Sequence, residues 1–182
     1  FDSKFGFGIE YLNTLFQRIS NTKHLKLNGL HAHIGSQIFE LDPHKDLGEI
    51  MVSVILDAKK YGHYIKKLNV GGGLGIKYIE DDDPPSIDEW VRTISTSVLK
   101  ACNKHNLDLP TLMCEPGRSI VSTAGITIYK IGAFKKIPGI RTYLSVDGGM
   151  SDNPRPITYQ SSYSACLVSN PYNINSKNKY TI

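Results

Sequence analysis

The stretch His31-Ala32-His33-Ile34-Gly35-Ser36-Gln37 holds two histidines two positions apart. On an extended strand their side chains point the same way. Such a pair can ligate a metal through two imidazoles, or one neutral ring can lie flat on a planar cofactor. A histidine satisfied by backbone is the plain structural alternative, and spacing alone does not choose among the three. The metal reading needs further His, Asp or Glu ligands, and Glu115 is the one well-placed carboxylate. Gly71-Gly72-Gly73-Leu74-Gly75 suits phosphate, because glycines let backbone N–H groups approach oxygens without a side-chain clash. It is neither a P-loop, which needs Gly-Lys-Ser/Thr, nor GxGxxG, since Ile76 stands where the third glycine would be. A tight turn with no ligand explains it equally well.

Glu115-Pro116-Gly117-Arg118 places an acid and a base three residues apart. The arginine can take a phosphate or carboxylate with a forked pair of hydrogen bonds. The carboxylate can keep a heteroaromatic nitrogen protonated. A Glu–Arg surface pair after a Pro-Gly turn is the competing explanation. Arg155 and Tyr159 lie in "VDGGMSDNPRPITY", whose prolines stiffen the loop into a clamp suited to an anion. A cluster of β-turns with an incidental arginine would read the same.

The elements that must position these residues follow from periodicity. Ile9, Leu12, Phe16 and Ile19 recur at helical spacing over 9–20. Residues 44–62 form a second helix, with Leu47, Ile50, Met51, Val54 and Ile55 on one side. Ser86-Ile87-Asp88-Glu89 is a capping box, opening a helix whose buried stripe reads Ile87, Val91, Ile94, Val98 and Ala101. Strands precede each polar stretch: "LKLNGLHAHIG", "KKLNVGGGLG" and "LPTLMCEPGRS". Alternation of strand and helix predicts a parallel α/β sheet. In a (β/α)8 barrel the carboxyl ends of the strands converge on one site. Three strands are too few to close one, so residues 1–119 read as the C-terminal part of a barrel. From about residue 120 strand spacing replaces helical period, and 120–182 reads as the truncated start of an all-β domain. Residues 170–179 read as a polar loop, and Lys179–Ile182 as strand-like.

The 182 residues carry a net charge of +4, with 40% hydrophobic and 21% charged residues. That is globular composition. No basic run is interleaved with aromatics, which argues against nucleic acid. No stretch approaches the roughly 18 apolar residues of a membrane span. Glu80–Asp83 reads as a solvated loop. Cys102, Cys114 and Cys166 are odd in number and lack CxxC spacing, which fits a reducing compartment. The start lacks a methionine and a signal pattern, so the chain reads as the middle of a longer one.

Taken in series, "HAHIGSQ", "NVGGGLG", "EPGRSIV" and "DGGMSDNPRPITY" resemble the diaminopimelate decarboxylase family. These are pyridoxal-phosphate enzymes of the alanine-racemase-like fold, a group that also holds eukaryotic ornithine decarboxylase. The resemblance implies decarboxylation of meso-2,6-diaminopimelate to L-lysine and carbon dioxide, in lysine biosynthesis, with pyridoxal 5'-phosphate as cofactor. It implies that His33 stacks on the pyridine ring, that Ser36 sits near the phosphate, and that Gly72 and Gly73 donate backbone N–H groups to it. Glu115 would pair with the pyridine nitrogen, and the backbone of Glu115, Pro116, Gly117 and Arg118 would line the cofactor. Arg118, Arg155 and Tyr159 would contact the substrate. A homodimer with a shared active site is implied, in cytoplasm or plastid stroma. By the same resemblance, the cofactor lysine lies before residue 1 and the proton-donating cysteine beyond residue 182. Alternatives are a decarboxylase of another basic amino acid on this fold, or a metal-dependent barrel hydrolase using His31 and His33.

Overall fold

A computed structural model describes residues 3–172 and 178–182. The polar loop read at 170–179 therefore lies partly outside the described residues. The chain divides into two units. The first runs to Ile76 and resumes at Asp83–Thr123; the second takes Lys77–Asp82 and the residues from Ala124 on.

The first unit alternates helix and strand. A 3-10 turn at Ile9–Tyr11 leads into α1 (Leu12–Ser20), followed by β1 (Gly29–His31), α2 (Asp42–Lys60), β2 (Lys67–Asn69), α3 (Ile87–Lys104), β3 (Thr111–Met113) and the short α4 (Arg118–Val121). The strands form a parallel sheet in the order β1-β2-β3. This is the parallel α/β arrangement expected of a barrel portion, with strands shorter than the motifs suggested. The Ser86–Glu89 capping box forms: the Ser86 hydroxyl accepts from Glu89 N–H at 3.2 Å, and the Glu89 carboxylate accepts from Ser86 N–H at 2.9 Å. The Ser86 hydroxyl, donating to the Glu89 carboxylate at 2.7 Å, and then the Ser86 N–H hold that carboxyl below its usual range.

Leu68 in β2 is fully buried and joins one core cluster with Met51, Val52 and Ile55 of α2 and Trp90, Ile94 and Val98 of α3. The helix faces differ from the apolar stripes read in the sequence. Ile50, Ile87 and Val91 are exposed, while His44, Gly48, Trp90, Ser97 and Cys102 are buried. The reason is the approach of α2 to α3. A Cβ added to Gly48 would lie 2.9 Å from Ser97 Cβ, and the Ser97 hydroxyl donates to Lys45 C=O at 2.6 Å. Two small residues thus meet where the helices pack, and on each helix the face carrying them is buried. Phe16 of α1 packs separately on Val54 and Ala58 of α2.

In the second unit β4 (Ile131–Ile137) and β5 (Arg141–Val146) pair antiparallel. Thr181 bridges to Tyr143, so the strand-like end does pair. Helical turns absent from the sequence reading occur at α4, at Ser122–Ala124 and at α5 (Arg155–Thr158). Each is one turn long, too short for a periodic stripe. Among the described residues no helix is long and apolar enough to cross a membrane.

His44 is fully buried against Trp90, edge to face at 5.6 Å, and neither ring nitrogen has a hydrogen-bond partner among the described residues. Burial, and then the nearby His33, hold its pKa below the ordinary 6.5. A depressed histidine pKa means the unfolded chain binds the proton more readily. The stability His44 confers is therefore complete above its unfolded pKa and lost as pH falls below it. Denaturant titrations at about pH 7.5 and about pH 5.5 should show a smaller loss of stability on acidification for His44→Phe than for the native chain. An equal loss in both would show that His44 is not the group responsible.

Candidate cofactor site

The carboxyl ends of the three parallel strands bring most of the sequence-selected residues together. In register, His31 of β1 stands beside Asn69 of β2, and Asn69 beside Met113 of β3. The chain past β2 makes the glycine turn, with Gly71 at φ +69° and Gly73 at φ +97°. A Cβ on Gly72 would collide with the Glu115 carbonyl and lie 3.6 Å from Pro116 Cα; one on Gly71 would sit 2.7 Å from His33 Nδ1. Only glycine lets this turn enter the space between the ends of β1 and β3.

His31 and His33 part company here. His31 Nε2 lies 3.5 Å from a Glu115 carboxylate oxygen, with both side chains about half exposed. A pair this solvated contributes little stability by itself. His33 Nδ1 instead accepts the Gly72 N–H at 3.3 Å. Nδ1 as acceptor leaves a proton for Nε2, the neutral tautomer. Among the described residues no group of three or more His, Cys, Asp or Glu could hold a metal. The hydrolase alternative lacks its further ligands there.

Arg118 opens α4 and reaches back to the first loop. Its guanidinium donates to the Ser36 hydroxyl and to Gln37 Oε1, the latter at 3.2 Å. Gln37 was part of a motif but had no assigned role. Its backbone sits at φ +60°, uncommon for a non-glycine residue. Its side chain clasps Ile76, donating to C=O at 2.6 Å and accepting from N–H at 3.3 Å. The two loops are further stitched by Ile38 N–H to Gly73 C=O and Gly75 N–H to Ile38 C=O, both 2.9 Å. Asn69, also unassigned in the sequence, donates to Glu115 Oε1 at 2.8 Å. Its signal was its place two residues before the glycine turn.

In the second unit Arg155 stacks on Tyr78 and Tyr159, at 5.8 and 5.2 Å from the ring centroids. It also reaches the Ser161 hydroxyl at 3.4 Å, while its buried Nε has no partner among the described residues. The sequence-selected pair Arg155 and Tyr159 is thus in contact.

The family profile of the pyridoxal binding domain of pyridoxal-dependent decarboxylases matches residues 1–122. The chain belongs to this family of pyridoxal-dependent decarboxylases. It is 56% identical over 167 residues to diaminopimelate decarboxylase of Synechocystis sp., covering 92% of this chain and 36% of that protein. It is 41% identical over 170 residues to the Bacillus subtilis diaminopimelate decarboxylase, covering 92% and 39%. The chain thus spans little more than a third of the length of these relatives. The crystal structure of diaminopimelate decarboxylase from M. jannaschii in co-complex with L-lysine superposes with a TM-score of 0.80 at 30% identity, over 90% of this chain and 37% of that one.

The residues of this decarboxylase-family chain fit pyridoxal phosphate. The glycine turn is a cradle that a Cβ would fill, His33 offers a planar neutral ring, and Glu115 offers an acceptor for a pyridine N–H. Of the two amides expected at the phosphate, that of Gly72 is engaged by His33. Gly72→Ala should destabilise the fold by about 1–3 kcal/mol through overpacking against the Glu115–Pro116 backbone. Gly125→Ala, where a Cβ meets nothing within 4 Å, should stay within about 0.5 kcal/mol of the native chain. Urea unfolding of both variants checks the contrast; equal effects would remove the steric argument.

Proposed function

We propose that this chain is the central part of a decarboxylase that converts meso-2,6-diaminopimelate to L-lysine and carbon dioxide with pyridoxal phosphate. The observation that carries the reading is the gathering of His33, Glu115, Arg118 and the glycine turn at the ends of three adjacent parallel strands. The choice of substrate rests on the relatives' names and their 56% and 41% identity.

The cofactor, when bound, supplies a protonated ring that accepts the electron pair left as the C–C bond to the carboxylate breaks. This chain's residues hold that ring. His33 would stack on it. Glu115 accepts the pyridine N–H and keeps its proton in place. Gly72, Gly73 and Ser36 contact the phosphate, and the backbone of Pro116 and Gly117 lines the cofactor with Arg118. Arg118 also meets substrate. Arg155 and Tyr159 grip the distal carboxylate, a role suited to a guanidinium already flanked by two aromatic rings. The lysine that carries the cofactor and the acid that returns a proton to the reacting carbon are assigned to segments outside this chain. The second unit is assigned as the start of the all-β domain, and the working enzyme as a homodimer in cytoplasm or plastid stroma.

Carbon dioxide release should be measured for the full-length protein with meso-diaminopimelate, L-ornithine and L-arginine. Release from meso-diaminopimelate alone is expected. Preference for another basic amino acid would move the protein to a different member of the fold. Arg155→Ala should raise KM for meso-diaminopimelate about tenfold or more, for the loss of a charge-assisted contact of about 1.5–3 kcal/mol. An unchanged KM would remove Arg155 from the substrate site.

A further inference from the structure

Three hydrogen bonds close a ring at the end of β2. Glu115 N–H donates to Gly71 C=O at 2.7 Å. Gly71 N–H donates to Asn69 Oδ1 at 2.9 Å. Asn69 Nδ2 donates to Glu115 Oε1 at 2.8 Å. The ring leaves Asn69 no choice of orientation. With its oxygen committed to the Gly71 amide, its NH2 group must face the carboxylate. The other Glu115 oxygen faces His31 Nε2 at 3.5 Å. Both supports come from register: His31 and Asn69 are cross-strand partners, and Glu115 lies two residues beyond the partner of Asn69. Residues two apart share a face of a strand.

The Glu115 side chain is more than half exposed. An unsupported glutamate there would spread over several rotamers. A hydrogen bond on one oxygen and an imidazole nitrogen 3.5 Å from the other restrict the plane of the carboxylate and still leave lone pairs for a further donor. We infer that Asn69 is a positioning residue for Glu115, with His31 as second support, and that together they aim the carboxylate at the pyridine nitrogen. This rests on the reading that Glu115 meets that nitrogen. His31, which the sequence offered as a metal ligand or a structural residue, thereby acquires a role in cofactor binding.

The test is the 15N resonance of the pyridine nitrogen in the full-length protein loaded with 15N-labelled pyridoxal phosphate, read beside steady-state kinetics. Native protein should show the protonated position. Asn69→Leu, near the same volume but without donor or acceptor, should move the resonance toward the deprotonated position. It should also lower kcat about ten- to hundredfold, as expected when a reacting group is misaimed, with KM changed far less. His31→Leu should do the same more weakly, and His31→Gln, which keeps a donor, should recover most of the loss. The His31 pair also serves if Asn69→Leu does not fold. Glu115→Gln separates the two levels of the argument. If it shifts the resonance while Asn69→Leu and His31→Leu do not, the positioning role is overturned and the reading of Glu115 stands. If Glu115→Gln itself leaves the resonance unmoved, that reading falls and the inference with it.

Discussion

Everything at the site depends on burying Leu68. It is the middle residue of a three-residue strand, with β1 on one side, β3 on the other, and core residues of α2 and α3 clustered with it. Strands this short have few ladder bonds to hold register. What sets register is burial: a slip of one residue would turn Leu68 outward and bring Lys67 or Asn69 into the core. With Leu68 inward, Asn69 faces the other way, level with His31.

The second constraint is space. The glycine turn follows β2 after a single residue, Val70, and enters a gap lined by the ends of β1 and β3. Gly71 touches the His33 side, Gly72 the Glu115–Pro116 backbone and Gly73 the Gly35 carbonyl. The loops after β1 and β3 thus converge on a stretch with no side chains. The close approach lets side chains three dozen and more residues apart bond directly, as in Arg118 to Ser36 and Gln37 or Asn69 to Glu115. Electrostatics plays a smaller part. The exposed His31–Glu115 pair is worth little as a salt bridge; its value lies in where it holds a carboxylate oxygen.

Some of this was legible before any coordinates. The alternation of apolar runs gave the parallel α/β class, and Ser86–Glu89 gave the start of α3, because a capping box is a local interaction between residues three apart. Helix faces were less legible. Ile87 and Val91 look as buriable as Ile94, yet only the close approach of Gly48 to Ser97 decides which side of α3 turns inward. His44 shows the same limit: nothing in its neighbours announces a histidine buried with both nitrogens unpartnered among the described residues.

The candidate site divides along the same line. By itself the sequence determined which residues can do chemistry, since residue type and spacing are local properties: a histidine that can stack, glycines that admit phosphate, a carboxylate beside an arginine. It also carried the family, through four motifs in order. Spacing alone could not separate His31 from His33, because strand alternation makes them equivalent; only the resemblance singled out His33. The sequence passed over Asn69 and Gln37, whose amides are ordinary until a partner is brought from another strand. Those partnerships belong to the tertiary structure alone, because each depends on hydrogen bonds between residues that only the parallel register and the glycine turn make neighbours.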